Sequence, residues 1–250
     1  MARSEAEEPK LSAGAFEQRS KALAVQLART LDLATGEVSL PCEIASLQAA
    51  LSLGGRASEI IARNRGKPHR VIPLCGIAND VLAWIGYREH WHREGGEQSF
   101  RFIECGFTLH VGREGELEKP QILRSEWIGR RSGMFGNNAG HPHWQLDVLE
   151  SARQAVVEPP RFAEAAPAAP VEFGSAAAEE PFGESLLFGL TVERMHLASA
   201  ALWWRKPSLP VAHPPESVAD LDRWILGCVN YLRQEIRRCV IVGVPSYLAT

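Results

Sequence analysis

Residues 100–111 read Phe-Arg-Phe-Ile-Glu-Cys-Gly-Phe-Thr-Leu-His-Val, and here the apolar period changes from helical to two. Ile103, Cys105, Phe107, Leu109 and Val111 fall on one face of an extended segment. Phe102, Glu104, Gly106, Thr108 and His110 fall on the other. Residues 112–119 make a charged, glycine-containing turn, and 121–129 return as a second strand. A Gly/Asn-rich loop at 132–140 leads into a third, 141–150, where Trp144, Leu146 and Val148 oppose His143, Gln145 and Asp147. Three strands joined in order predict an antiparallel meander over 96–151.

Towards the N-terminus the apolar spacing is helical. Phe16, Ser20, Leu23, Leu27 and Leu31 predict an amphipathic helix over 15–31. Pro41 suits the first turn of a second helix, with Ile44, Leu47, Gln48 and Leu51 on its face and Gly54-Gly55 as its stop. Residues 56–64 read as a short third helix, and Ile77, Val81, Leu82 and Ile85 suggest a fourth. Residues 1–95 are thus expected to be a helical region.

Towards the C-terminus the composition of residues 152–184 collapses to Ala, Pro and Glu. Such a stretch buries too little apolar surface to offset its ordering entropy, so it reads as a linker. The segment 185–250 follows as a short strand at 185–190, a helix at 192–204 and a longer helix at 221–238. Ser217 with Asp220 makes a capping-box-like start to that last helix, whose stripe is Leu221, Ile225, Cys228, Leu232 and Ile236. Residues 239–244 read as a closing strand. The expected fold class is α+β: N-terminal helices, then an antiparallel β-meander, with C-terminal helices packed on it after a flexible linker.

The 250 residues carry a formal charge of −3, which gives no general pull towards nucleic acid or anionic lipid. No apolar run approaches the roughly 20 residues that cross a bilayer, and residues 1–10 are acidic without the apolar stretch of a secretion signal. Five scattered cysteines, none in Cys-x-x-Cys spacing, fit free thiols in a reducing compartment, so a cytoplasmic location is expected. Walker loops, Gly-x-Gly-x-x-Gly after a strand, Gly-x-Ser-x-Gly and His-Glu-x-x-His are all missing from the sequence.

The string that points to chemistry is Gly140-His-Pro-His-Trp-Gln-Leu-Asp147. Two residues apart on a strand, His141 and His143 share a face with Asp147, and two imidazoles with a carboxylate can hold a divalent metal. The same face of the meander offers His110, Arg124 and Glu126, with Glu126 as base or further ligand. The same residues also suit a solvated face on which His143 and Asp147 bond each other while Trp144 packs inward. A third reading is a partner-binding surface, for which Trp144, Trp203 and Trp204 are the aromatic anchors.

His141-Pro142-His143, with Tyr231 in Asn230-Tyr-Leu-Arg-Gln234, resembles the HUH motif of single-strand nucleases and relaxases. The resemblance implies a metal on the two histidines and phosphate attack by Tyr231. The lysine one helical turn after the tyrosine is missing here, and His90-Trp91-His92 fits the same loose pattern. His141-Pro142, followed by Leu146-Asp147-Val148-Leu149, also resembles the His-Pro-Asn stretch of ubiquitin-conjugating enzymes. That resemblance implies the order helix, meander, helices. Here His143 replaces the asparagine, and the next cysteine is Cys228.

The function expected from these features is a non-catalytic interaction or structural subunit of a larger cytoplasmic assembly. The partner would be another protein or a second copy; net charge does not support nucleic acid, and no membrane is implied. The alternative is a metal-dependent hydrolase or nuclease using the His-Pro-His strand. No cofactor is implied apart from the divalent metal of that alternative.

Overall fold

The computed structural model describes residues 8–62, 68–78, 80–93, 97–129, 143–146 and 215–243. Nine strands and two helices occupy these residues: β1 Lys10–Ser12, α1 Ala13–Leu31, β2 Cys42–Ile44, β3 Gln48–Ser52, β4 Glu59–Ile61, β5 His69–Ala78, β6 Val81–His92, β7 Ser99–Arg113, β8 Gln121–Ile128, β9 His143–Leu146 and α2 Val218–Gly243. The α+β expectation holds in its coarse form: a mostly antiparallel sheet, curled as a half-barrel, with one N-terminal and one C-terminal helix.

The long β6–β7 pair is the spine of the sheet. On the outer side of β6, β5 pairs with its first half and β3 with its second, and β2 pairs with β3 beyond. On the far side of β7, β1 pairs with its start and β8 with the rest, and β9 closes that side. The meander predicted from residues 100–150 is therefore present as β7–β8–β9.

One detail of it is corrected. A register shift between His90 and Trp91 leaves Ile103 without an opposite residue, and the phase of β7 reverses there. Phe100 and Phe102 consequently share the buried face with Cys105, Phe107, Leu109 and Val111, while Ile103 is only half-buried.

Helix α1 forms as expected. Ser12 caps it, its hydroxyl accepting from the Ala15 amide at 3.3 Å, and Asp32 ends it in the left-handed conformation at φ 57°. Helix α2 starts with the predicted capping box: the Ser217 hydroxyl accepts from the Asp220 amide at 3.2 Å, and the Asp220 carboxylate accepts from the Ser217 amide at 3.0 Å. Leu221, Trp224, Ile225, Cys228, Val229, Leu232 and Ile236 line its buried face.

Four expectations are overturned. The helix read from Pro41 onward is the β2–β3 hairpin, in which Ala49, Leu51 and Leu53 are buried in alternation. Its alanines and leucines are good helix formers, but pairing on β6 overrides that weak preference. Within the short helix expected at 56–64, Glu59–Ile61 form strand β4, and residues 63 and 64 lie outside the described residues. In place of the helix at 77–85, Ile77 and Ala78 end β5 and Val81–Ile85 open β6, where Val81, Ala83, Ile85, Tyr87, Glu89 and Trp91 are buried on one face. The closing strand is helical through Gly243, since a helix already nucleated extends readily through β-branched residues. The linker 152–184, the strand at 185–190 and the helix at 192–204 lie outside the described residues. No helix among the described residues is long and apolar enough to cross a membrane.

Candidate functional site

The histidine strand comes first because the sequence singles it out. His143 pairs across from Glu126, and Gln145 across from Arg124, so these four positions lie in adjacent rows of one sheet face. Arg124 and Glu126 approach each other to 3.6 Å, and both are about one-third exposed. Trp144 pairs across from Ser125 on the other face, as the alternation predicts. It packs partly buried against Phe107 and Tyr231, with ring centroids 5.5 and 6.3 Å away.

This geometry divides the candidate residues. Tyr231 stands on α2, over the helix-covered face, whereas the Glu126–His143 row belongs to the opposite face. A sheet separates the tyrosine from the row that would hold the metal. His110 is drawn away as well: it is buried, its Nδ1 facing the Lys119 carbonyl at 3.0 Å. His141, Asp147, Trp203 and Trp204 lie outside the described residues. Among the described residues no three His, Cys, Asp or Glu side chains gather as a metal site.

The strongest electrostatic feature is one that sequence reasoning missed. Glu89, fully buried on β6, receives both Nη1 and Nη2 of Arg19 at 2.6 Å. The Tyr87 hydroxyl and the Trp91 indole N–H, at 2.9 Å, also donate to it. Arg19 then spends its Nε on Asp222 of α2 at 2.8 Å. One guanidinium thus joins α1, the sheet and α2. The signal was present in the sequence: Arg19 sits inside the apolar stripe of α1, and Glu89 alternates with Tyr87 and Trp91.

Burial alone would raise the Glu89 carboxyl, but the Arg19 charge and the three donors override it and hold the group below its ordinary value. Tyr87 is pushed well up by burial and by the neighbouring carboxylate. Asp222 is raised, because its partial burial outweighs the help of Arg19. Cys105 and Cys228 are pushed well up by burial and are inert as nucleophiles, and Cys75 is held at about 11 for the same reason. Every oxygen of Glu89 is engaged and the residue is closed to solvent, so the cluster is a structural tie.

The opposite face holds a second polar group. The Thr108 hydroxyl lies 2.9 Å from His110 Nε2 and 3.1 Å from His69 Nε2. His110 Nδ1 donates to the Lys119 carbonyl, and the Thr108 hydroxyl bridges His110 Nε2 and His69 Nε2. Gly86 leaves room for the His69 ring, since a Cβ there would lie 1.9 Å from Nε2. Lys119 bonds Glu59 at 2.6 Å with its ammonium 4.4 Å from the centre of the Trp84 ring.

At the sheet edge the β2–β3 hairpin presents Ile44 and Leu47, each more than two-fifths exposed. Its tip is held fast. The Arg93 guanidinium donates to the Ser46 carbonyl at 2.9 Å from Nε, and the Arg93 amide donates to Leu47 at 2.8 Å. The Ala45 amide donates to the Gln48 carbonyl at 2.8 Å, which fixes the hydrogen-bonding parity of the pair. Cys42 and Ile44 then direct their backbone N–H and C=O groups away from β3, towards an edge that no other described strand covers. No family model, curated protein or solved structure matches this chain.

Proposed function

We propose that this chain is a non-catalytic interaction or structural subunit of a larger cytoplasmic protein assembly. The observation that carries the reading is the β2–β3 hairpin: two large aliphatic side chains held out to solvent on a tip whose backbone is locked by Arg93. A rigid apolar display binds without the ordering cost of a flexible loop. The partner that suits it is an extended strand of another protein, adding to the outer edge of β2. Only two β2 residues offer outward backbone groups, so side chains against Ile44 and Leu47 must supply most of the affinity. Glu43 is exposed and has no ion pair with a described residue, so the partner strand is expected to bring a basic residue to it. Pairing of β2 with a second copy about Glu43 would instead set two carboxylates against each other.

The alternative, a metal-dependent hydrolase or nuclease, draws support from the shared row of Glu126 and His143. One experiment separates the two. The full chain is purified under native conditions beside Ile44→Asp/Leu47→Asp, and size, companion protein and divalent metal are measured for both. The subunit reading expects a stoichiometric protein companion on the wild type, lost from the double variant at unchanged melting temperature, and no retained metal. A monomer that holds one equivalent of metal contradicts it, as does a companion that the double variant keeps.

A further inference from the structure

An open cleft of about 600 Å³ runs between the end of α1 and the middle of α2, lined by Arg29, Thr30, Asp32, Arg223, Leu226, Gly227, Asn230 and Arg233. The cleft is shallow and open to solvent on one side. Its composition is lopsided for a chain of net charge −3: three guanidiniums face one carboxylate.

The hydrogen-bonding capacity left over in the cleft is mostly donor. Asp32 is already bound by Arg233 Nη2 and lies 4.0 Å from Arg237. The Thr30 carbonyl accepts from Arg233 Nη1 at 2.5 Å, and the Thr30 hydroxyl donates to the Gln26 carbonyl. The Asn230 side-chain oxygen accepts from Gln234 at 3.1 Å, which leaves its amide N–H groups. Arg233 is nine-tenths buried, held at both terminal nitrogens, and its Nε has no partner among the described residues. Arg29 makes no ion pair with a described residue, and Arg223 is more than half exposed with one nitrogen 3.1 Å from Asp220. Leu226 supplies an apolar patch, and Gly227 brings no side chain to fill the space.

A site with surplus donors, surplus positive charge and planar guanidinium forks is complementary to an oxyanion. We infer that this cleft is a binding site for a small ligand carrying a phosphate or carboxylate group, with Arg29, Arg223 and Asn230 as its contacts and Arg233 as the fixed charge behind them. This site is separate from the β2–β3 hairpin, and neither reading depends on the other.

Binding of inorganic pyrophosphate and of citrate to the full chain, measured by titration calorimetry at about 150 mM sodium chloride, tests the inference. The variants are Arg29→Gln, Arg223→Gln and their combination, with Arg88→Gln as control, since Arg88 is exposed on β6 beside Tyr87 and Glu89 but on the face away from the helices. Saturable binding of at least one probe is expected, weakened about tenfold or more by each cleft substitution and unchanged in the control, with all variants melting as the wild type does. The probe bound tighter identifies phosphate or carboxylate as the preferred group. The singles decide the outcome if the combination fails to fold. No binding of either probe, binding that the cleft variants retain, or an equal loss in Arg88→Gln would each overturn the inference.

Discussion

The two faces of the sheet handle buried charge differently. On the helix-covered face, Glu89 is completely enclosed and shares one arginine with Asp222, within the main aromatic and aliphatic core. On the opposite face, Lys119 is equally buried, but its partner Glu59 keeps one-fifth of its side chain in solvent, and the apolar cluster there is small among the described residues: Ile61, Val71 and Trp84, with Leu82 partly buried against them. In the first arrangement, losing Arg19 strands the Glu89 carboxylate in a dry interior. In the second, losing Lys119 leaves Glu59, which solvent already reaches. The difference teaches that burial of one residue says less about its energetic role than access to its partner does.

The largest consequence falls on Arg19. Arg19→Met keeps the length of the side chain but leaves Glu89 as an uncompensated buried carboxylate, and it is expected to cost about 3–5 kcal/mol in urea unfolding. A loss under about 1 kcal/mol would erase the contrast between the faces.

The pH dependence sharpens the same contrast within one cluster. Glu89 has a folded pKa below its unfolded value, so its stabilisation is present in full above the unfolded value and is lost as pH falls through the lower folded one. Asp222 is opposite in sign. Its folded pKa is raised, so its contribution is present below its unfolded value and is lost as pH rises through the folded one. Removing the opposing group should therefore steepen the gain of stability between about pH 3 and 6. Asp222→Asn, followed by urea unfolding across that window, is expected to show the steeper slope. A shallower slope than wild type would reverse the assignment of the two carboxylates.

The smallest effect belongs to the opposite face. Lys119→Met retains a chain that can lie on Trp84 and strands only a partly solvated Glu59, so the expected loss is about 1–2 kcal/mol. A loss equal to that of Arg19→Met would show that the two faces are energetically alike.

The same contrast explains how much was legible in the sequence. The meander, α1 and the capped start of α2 could be read because each announces itself locally, by period or by a capping pair such as Ser217–Asp220. The β2–β3 hairpin could not, since Gln48–Ser52 becomes a strand only by pairing on Arg88–His92, some forty residues away. The Ile103 bulge is likewise a property of the β6–β7 pair and not of either strand alone. The tie between Arg19, Glu89 and Asp222 spans some 200 residues of chain. Only its two anomalies, a charge in each of two apolar patterns, were visible beforehand. Of the histidine strand, the inward turn of Trp144 and the shared row of Glu126 and His143 were legible from alternation. The separation of Tyr231 from that row was not, because it depends on which face α2 covers.

The central claim is that Glu89 is tolerated in the core because Arg19 compensates its charge, and a combined substitution tests it most directly. If Arg19→Met fails because a charge is stranded, removing that charge should restore stability even though more polar contacts are lost. Urea unfolding of Arg19→Met/Glu89→Met is expected to recover about 2 kcal/mol or more relative to Arg19→Met alone. A combined variant no more stable than the single one would contradict the account.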